Sequence, residues 1–168
     1  IGATNANPYT VLAHYCTWLK RNEKENNWSQ ASQRPLSPYT DGYDSLDKAV
    51  INYNCQLLRE NRITPMLSWW GPNGSPIDYA GDKFLDAWVS SDNPVPAGIL
   101  YEAADDDGIR LPRDSDGRID FDKTEVSRMF ISEMNHLHEN YFSKYPDKFW
   151  KQDGKPVVFL WVSHIFRG

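Results

Sequence analysis

Residues 63–69, Ile63-Thr64-Pro65-Met66-Leu67-Ser68-Trp69, run directly into Trp70-Gly71-Pro72. The run is too short for a helix and too apolar for a loop, which predicts a buried strand. Pro65 weakens its first half, because proline cannot donate to a ladder. Gly71-Pro72 ends the pattern and leaves two adjacent tryptophans where the strand opens into a loop. In α/β proteins that edge is where ligands bind. Adjacent strand residues face opposite ways, so Trp69 and Trp70 are not both expected to be simple core. Flat aromatic surfaces at such a place suit the apolar faces of sugar rings.

Three more runs read as strands: residues 10–16 (TVLAHYC), 97–103 (AGILYEA) and 156–163 (PVVFLWVS). Helical spacing falls between them. Residues 45–61 carry Leu46, Val50, Tyr53, Leu57 and Leu58, with Asp44 available as N-cap. Residues 122–145 carry Val126, Phe130, Met134, Leu137 and Tyr141, with Asp122 and Glu125 spaced as a capping box. Residues 78–89, with Phe84, Leu85 and Trp88, form a shorter third pattern, and polar connections occupy 20–42 and 105–120.

Alternating strands and helices imply a parallel sheet with right-handed crossovers. One solution is a doubly wound α/β sheet with helices on both faces. The other is the first four β/α units of a (β/α)8 TIM-type barrel, a fold of about 250 residues. Four parallel strands alone leave two apolar edges unpaired. The stop at Gly168, just after the fourth strand, favours the barrel, with residues 1–168 as a single partial domain of catalytic type and a fragment of a longer chain.

Aromatic residues make up 14% of the chain, seven of them Trp, which is more than a core of this size requires and points to a groove or an interface. A net charge of −5 without a basic stripe argues against nucleic acid and anionic membrane as partners. No apolar run approaches the roughly 20 residues of a membrane helix. The sequence opens Ile1-Gly2-Ala3, without Met, so either a leader was removed or the chain is part of something longer. Cys16 and Cys55 are open to two readings, free thiols or a disulfide. Asn27-Trp28-Ser29 and Asn73-Gly74-Ser75 match the glycosylation pattern, although Pro76 makes the second a poor acceptor. A secreted or extracytoplasmic location fits these features.

The C-terminal strand ends share one rim in a parallel sheet. They bring His14, Tyr15 and Trp18 from the first strand, Trp69 and Trp70 from the second, Tyr101 and Glu102 from the third, and Trp161 and His164 from the fourth. Stacking surfaces with a few hydrogen-bonding groups suit a neutral polyhydroxylated ligand. Glu102 stands in an apolar strand, where a carboxylate needs a partner or a task. Each of the others has a plainer reading as core. Asp105-Asp106-Asp107 follows on the same rim as a polar loop. Asp114 to Asp120 has the middle of a calcium loop, but Pro112 and Lys123 stand at its two end ligand positions, so a solvated turn is expected and no metal. His136 and His138 point apart on a helix, and no phosphate loop, CxxC or Gly-x-Ser-x-Gly occurs, so no cofactor is expected.

These segments resemble the family-99 glycoside hydrolases, the endo-α-1,2-mannosidase-like enzymes. The resemblance rests on Val11-Leu12-Ala13-His14-Tyr15 with Trp18, Tyr43-Asp44-Ser45, Ser68-Trp69-Trp70-Gly71-Pro72, Tyr101-Glu102, and Gly154-Lys155-Pro156-Val157-Val158-Phe159. It implies a barrel that hydrolyses internal α-linkages in mannose-containing glycans with retention of configuration. It places Trp69, Trp70 and Glu102 at sugar subsites. Ala103-Ala104-Asp105 departs from the Pro and aromatic that commonly follow this glutamate in the family. The family's catalytic glutamate pair comes from later segments, supplied by the rest of the barrel. The resemblance therefore implies a glycoside hydrolase when full length and a fragment inactive alone. The competing reading is a non-catalytic carbohydrate-binding or cell-surface structural protein that keeps the groove.

Overall fold

A computed structural model describes residues 10–17, 43–71, 81–103, 111–161 and 163–168. Its centre is a four-stranded sheet of β1 (Ala13–Tyr15), β2 (Met66–Trp70), β3 (Ala97–Glu102) and β7 (Val158–Trp161), all parallel and in that spatial order. Three α-helices connect them: α1 (Lys48–Glu60), α2 (Asp82–Val89) and α3 (Thr124–Leu137). This is the mixed α/β architecture of part of a TIM-type barrel, as the strand–helix alternation predicts.

The two faces of the sheet differ. Apolar side chains of α1 (Ile51, Cys55), α2 (Phe84, Leu85, Trp88) and α3 (Val126, Leu137) form one cluster with Tyr15, Met66, Trp70, Ala97, Ile99 and Tyr101. Those strand residues are alternate positions, so all belong to one face. The opposite face carries a separate small cluster of Trp69, Leu100 and Leu67. Among the described residues the helices therefore pack on one face, which excludes the doubly wound alternative.

The sheet is also strongly curved. β1 and β7 lie three strand spacings apart, about 14 Å in a flat sheet. Yet the His14 and Trp161 rings approach to 6.1 Å between centroids. The registers Leu67↔Gly98 and Ile99↔Val158 put Trp161 four positions further along β7 than the residue level with His14. Barrel stagger advances about one residue per strand, roughly three over this distance. Curl and tilt together bring the rings to nearly one level. Gly98 keeps the base of the concave face uncrowded: a Cβ there would lie 3.0 Å from Leu67 Cδ2 and 3.2 Å from Trp150 Cε3. Trp150 in turn stacks on Phe159 at 6.0 Å.

Element ends differ from the sequence reading in ways with local causes. The N-cap of α1 is Asp47, whose Oδ1 accepts from the Ala49 amide at 2.8 Å. Asp44, the residue expected in that role, instead accepts from the Leu46 amide in the preceding turn. The Asp122–Glu125 capping box does not form; Lys123 occupies the cap position without a side-chain bond. The helix expected to reach residue 145 ends at Leu137 and passes into a π turn, His138–Phe142.

Two small sheets lie outside the sequence expectations. β5 (Lys151–Gln152) and β6 (Lys155–Pro156) make a hairpin, turned by Asp153 and Gly154 with φ of 50° and 76°. Asp-Gly at both positive-φ positions is the usual chemistry of that turn. β4 (Ile119–Asp120) pairs in parallel with β8 (Phe166–Arg167). Cys16 and Cys55 are both free, the first exposed and the second buried. Among the described residues, no helix is long and apolar enough to cross a membrane.

Candidate functional site

The concave face and its rim hold part of the residue set selected from sequence. Strand alternation puts His14, Trp69, Glu102 and Trp161 on this face. Glu102 is 7% exposed and Trp69 6%. The Trp69 indole N–H donates to Glu102 Oε2 at 3.3 Å, tying the ends of β2 and β3 together. Trp161, register-paired with Glu102, is 48% exposed and flanks the carboxylate on one side. His14 is exposed beyond it on β1. Thr17 closes the rim from β1, its Oγ1 donating to the Trp69 carbonyl at 3.2 Å. This is a carboxylate held by an indole beside an open tryptophan, and that tryptophan meets the His14 imidazole.

Tyr15, Trp70 and Tyr101 point the other way, into the helix-covered core. Trp70 is 1% exposed, and its ring stacks against Tyr101 and His136 at 6.0 and 6.3 Å. Its Nε1 donates to Asp82 Oδ1 at 3.1 Å. The Tyr15 hydroxyl joins Tyr43 (2.9 Å) and accepts from Asn54 Nδ2 (2.7 Å). Burial and the adjacent Tyr43 hydroxyl push the Tyr15 phenol far above its ordinary range. The Tyr101 hydroxyl donates to the Glu133 carboxylate. These residues shape the rim from behind. His164 lies past the end of β7, exposed on the short 3-10 turn Ser163–Ile165. Trp18, Asp105-Asp106-Asp107 and both glycosylation patterns lie outside the described residues.

The Asp114–Asp120 loop has its own explanation. Asp114 Oδ1 accepts from the Asp116 and Arg118 amides, both at 2.9 Å, and Arg167 reaches Asp114 and Asp120 at 3.1 and 2.7 Å. The amide donors hold the Asp114 carboxyl below the usual range, and the Arg167 hydrogen bond does the same for Asp120. The carboxylates that suggested a calcium loop thus close a turn and pair with a guanidinium. Among the described residues no cluster of three His, Cys, Asp or Glu could hold a metal.

Sequence reasoning missed Thr17, Asn54, Asp82 and Glu133. Their signal is weak, because polar residues near helix starts or on half-buried faces are common. Only the pairing of each with a strand-end residue, through its side chain for Asn54, Asp82 and Glu133 and through the Trp69 carbonyl for Thr17, distinguishes them.

No protein-family model and no curated relative matches the chain. Its backbone does match a solved structure of the GH99 endo-alpha-mannosidase from Bacteriodes thetaiotaomicron in complex with BIS-TRIS-Propane, with a TM-score of 0.55 and 14% sequence identity. The match covers 94% of this chain and 43% of that one. The chain therefore has a glycoside hydrolase-like fold and spans less than half the length of the mannosidase it resembles.

Proposed function

We propose that the chain is the glycan-binding part of a glycoside hydrolase-like domain acting on α-linked, mannose-containing glycans, with retention of configuration in the full-length protein. The observation that carries this reading is the buried Glu102 carboxylate on the concave face, held by Trp69, with Trp161 register-paired beside it and His14 against Trp161. The exposed Trp161 face offers a stacking surface for a sugar ring, and Glu102 accepts hydrogen bonds from its hydroxyls. We assign Trp18 and His164 to sugar contact as well, and Tyr15, Trp70 and Tyr101 to holding the rim from behind.

Glycoside hydrolysis needs two carboxyl groups, about 5 Å apart when configuration is retained. Among the described strand residues of the concave face, Glu102 is the one carboxylate. We assign it to substrate binding and to the electrostatics of the reacting sugar. We assign the second carboxyl group to further parts of the barrel, as the family resemblance implies. The 168 residues alone then bind glycan weakly and do not turn it over.

The test is calorimetric titration with a mannose oligosaccharide, together with a hydrolysis assay on α-mannan. Saturable binding that Glu102→Gln weakens is expected; turnover by the 168 residues alone sinks the division of carboxylates. A non-catalytic carbohydrate-binding protein is the second reading, favoured by Glu102 being the one carboxylate among the described strand residues of the concave face. It predicts that the full-length protein also binds without cleaving.

A further inference from the structure

Each groove residue on the first three strands has a chain neighbour anchored on the opposite face. His14 precedes Tyr15, whose hydroxyl is held by Asn54 of α1. Trp69 precedes Trp70, whose indole is held by Asp82 of α2. Glu102 follows Tyr101, whose hydroxyl is held by Glu133 of α3. A strand alternates faces, so fixing the polar tip of one side chain fixes the backbone from which its neighbour projects the other way. Three strands and three helices repeat one arrangement: a groove residue in front, an aromatic behind it, and a polar helix residue gripping the aromatic.

The Asp82 anchor is the most developed. Its Oδ1 accepts the Trp70 indole at 3.1 Å, and its Oδ2 meets His136 Nε2 at 2.7 Å. The Asn140 amide donates to His136 Nδ1 at 3.2 Å, so the ring's proton sits on Nε2, facing Asp82. His136 also stacks on Trp70. The Tyr141 hydroxyl shares its one proton between the Asp82 carbonyl at 3.3 Å and Asp86 Oδ1 at 3.1 Å. Trp70 ends β2 and Asp82 begins α2, so their bond also ties together the two ends of the connection between them. Resting on the glycan-groove reading above, we propose that Asp82 is a positioning residue for the groove. It acts through Trp70 to set Trp69 against Glu102, with Asn54 and Glu133 as its counterparts on the flanking helices.

Asp82→Asn tests this at nearly constant volume. The asparagine can still accept from Trp70, but its amide then opposes the His136 Nε2–H, donor against donor. The readout is the set of tryptophan indole N–H signals in a ¹⁵N-labelled sample, with Trp69 and Trp70 assigned by Phe substitution and mannose-oligosaccharide titration alongside. A positioning role predicts that the Trp69 signal moves together with that of Trp70, and that oligosaccharide affinity falls about tenfold or more, as expected when a contact is misplaced. A shifted Trp70 beside an unmoved Trp69 overturns the proposal. Should Asp82→Asn fail to fold, His136→Ala leaves the Asp82–Trp70 bond in place but removes its support. It should move both signals in the same direction by less, and an unmoved Trp69 there also overturns the proposal. If the wild-type protein binds no oligosaccharide while Asp82→Asn still moves Trp69, the positioning role stands and the glycan reading falls.

Discussion

The two faces of the central sheet are built from the same strands and have opposite characters. Behind the sheet, Trp70 and Tyr101 are buried together with Phe84 and Trp88 of α2, and the polar tips of Trp70 and Tyr101 are bonded to Asp82 and Glu133. In front, Trp69, Leu100 and Leu67 form a small cluster, and Phe159 and Trp161 stay open toward the sheet edge. The back face carries the larger apolar cluster, and the front face carries the exposed rings of Phe159 and Trp161. Similar amino acids serve both purposes, so residue type alone does not separate core from groove.

Substitutions can break or sharpen that contrast. The largest expected effect is on the back face: Trp88→Ala removes a fully buried side chain and should cost about 3–5 kcal/mol in denaturant unfolding. A cost near zero would mean that α2 does not pack as described. Gly98→Ala comes next. Its new methyl meets Leu67 and Trp150, and an overpacked site of this kind typically costs about 1–3 kcal/mol. Relief by a second substitution, Leu67→Ala, would identify the clash as the cause. On the front face, Trp161→Ala should change stability by less than about 1 kcal/mol while weakening oligosaccharide binding. An equal loss of stability and binding would erase the distinction between the faces.

The buried tyrosines and the Asp114–Asp120 turn differ in pH response. Burial raises the phenol pKa of Tyr15, Tyr43 and Tyr141. The folded state therefore keeps protons that the unfolded chain releases above about pH 10, and stability should fall as pH rises beyond that point. Asp114 and Asp120 are depressed in the folded state, so their contribution is present above about pH 4 and is lost as pH falls through the folded values. Asp120→Asn should flatten the acid limb of the stability profile and leave the alkaline limb unchanged. Both carboxylates pair with Arg167, whose side chain is 43% exposed, so the acid effect should shrink in salt.

Much of the fold was legible in the chain. Strand positions, the three helices and their order follow from apolar periodicity, which long elements report well. The exceptions have physical reasons. β4 and β8 are two residues each, too short for any period, and form only when tertiary packing brings Ile119 beside Phe166. The β5–β6 hairpin did carry a signal in Asp153-Gly154, masked by its proximity to the stronger run that follows. Two aspartates near the start of α1 compete as caps, and Asp47 takes the role because the turn before it occupies Asp44.

For the site, sequence alone determined that Trp69 and Trp70 point apart and that Glu102 needs a partner, because a strand has a period of two and a buried carboxylate must be satisfied. It could not determine which tryptophan faces the groove. Alternation is symmetric between the two faces, and only the side on which the helices pack breaks that symmetry. The tertiary structure decided it: α2 and α3 cover Trp70, the curl of the sheet turns Trp69 and Glu102 toward each other, and the Trp161 face stays open beside them.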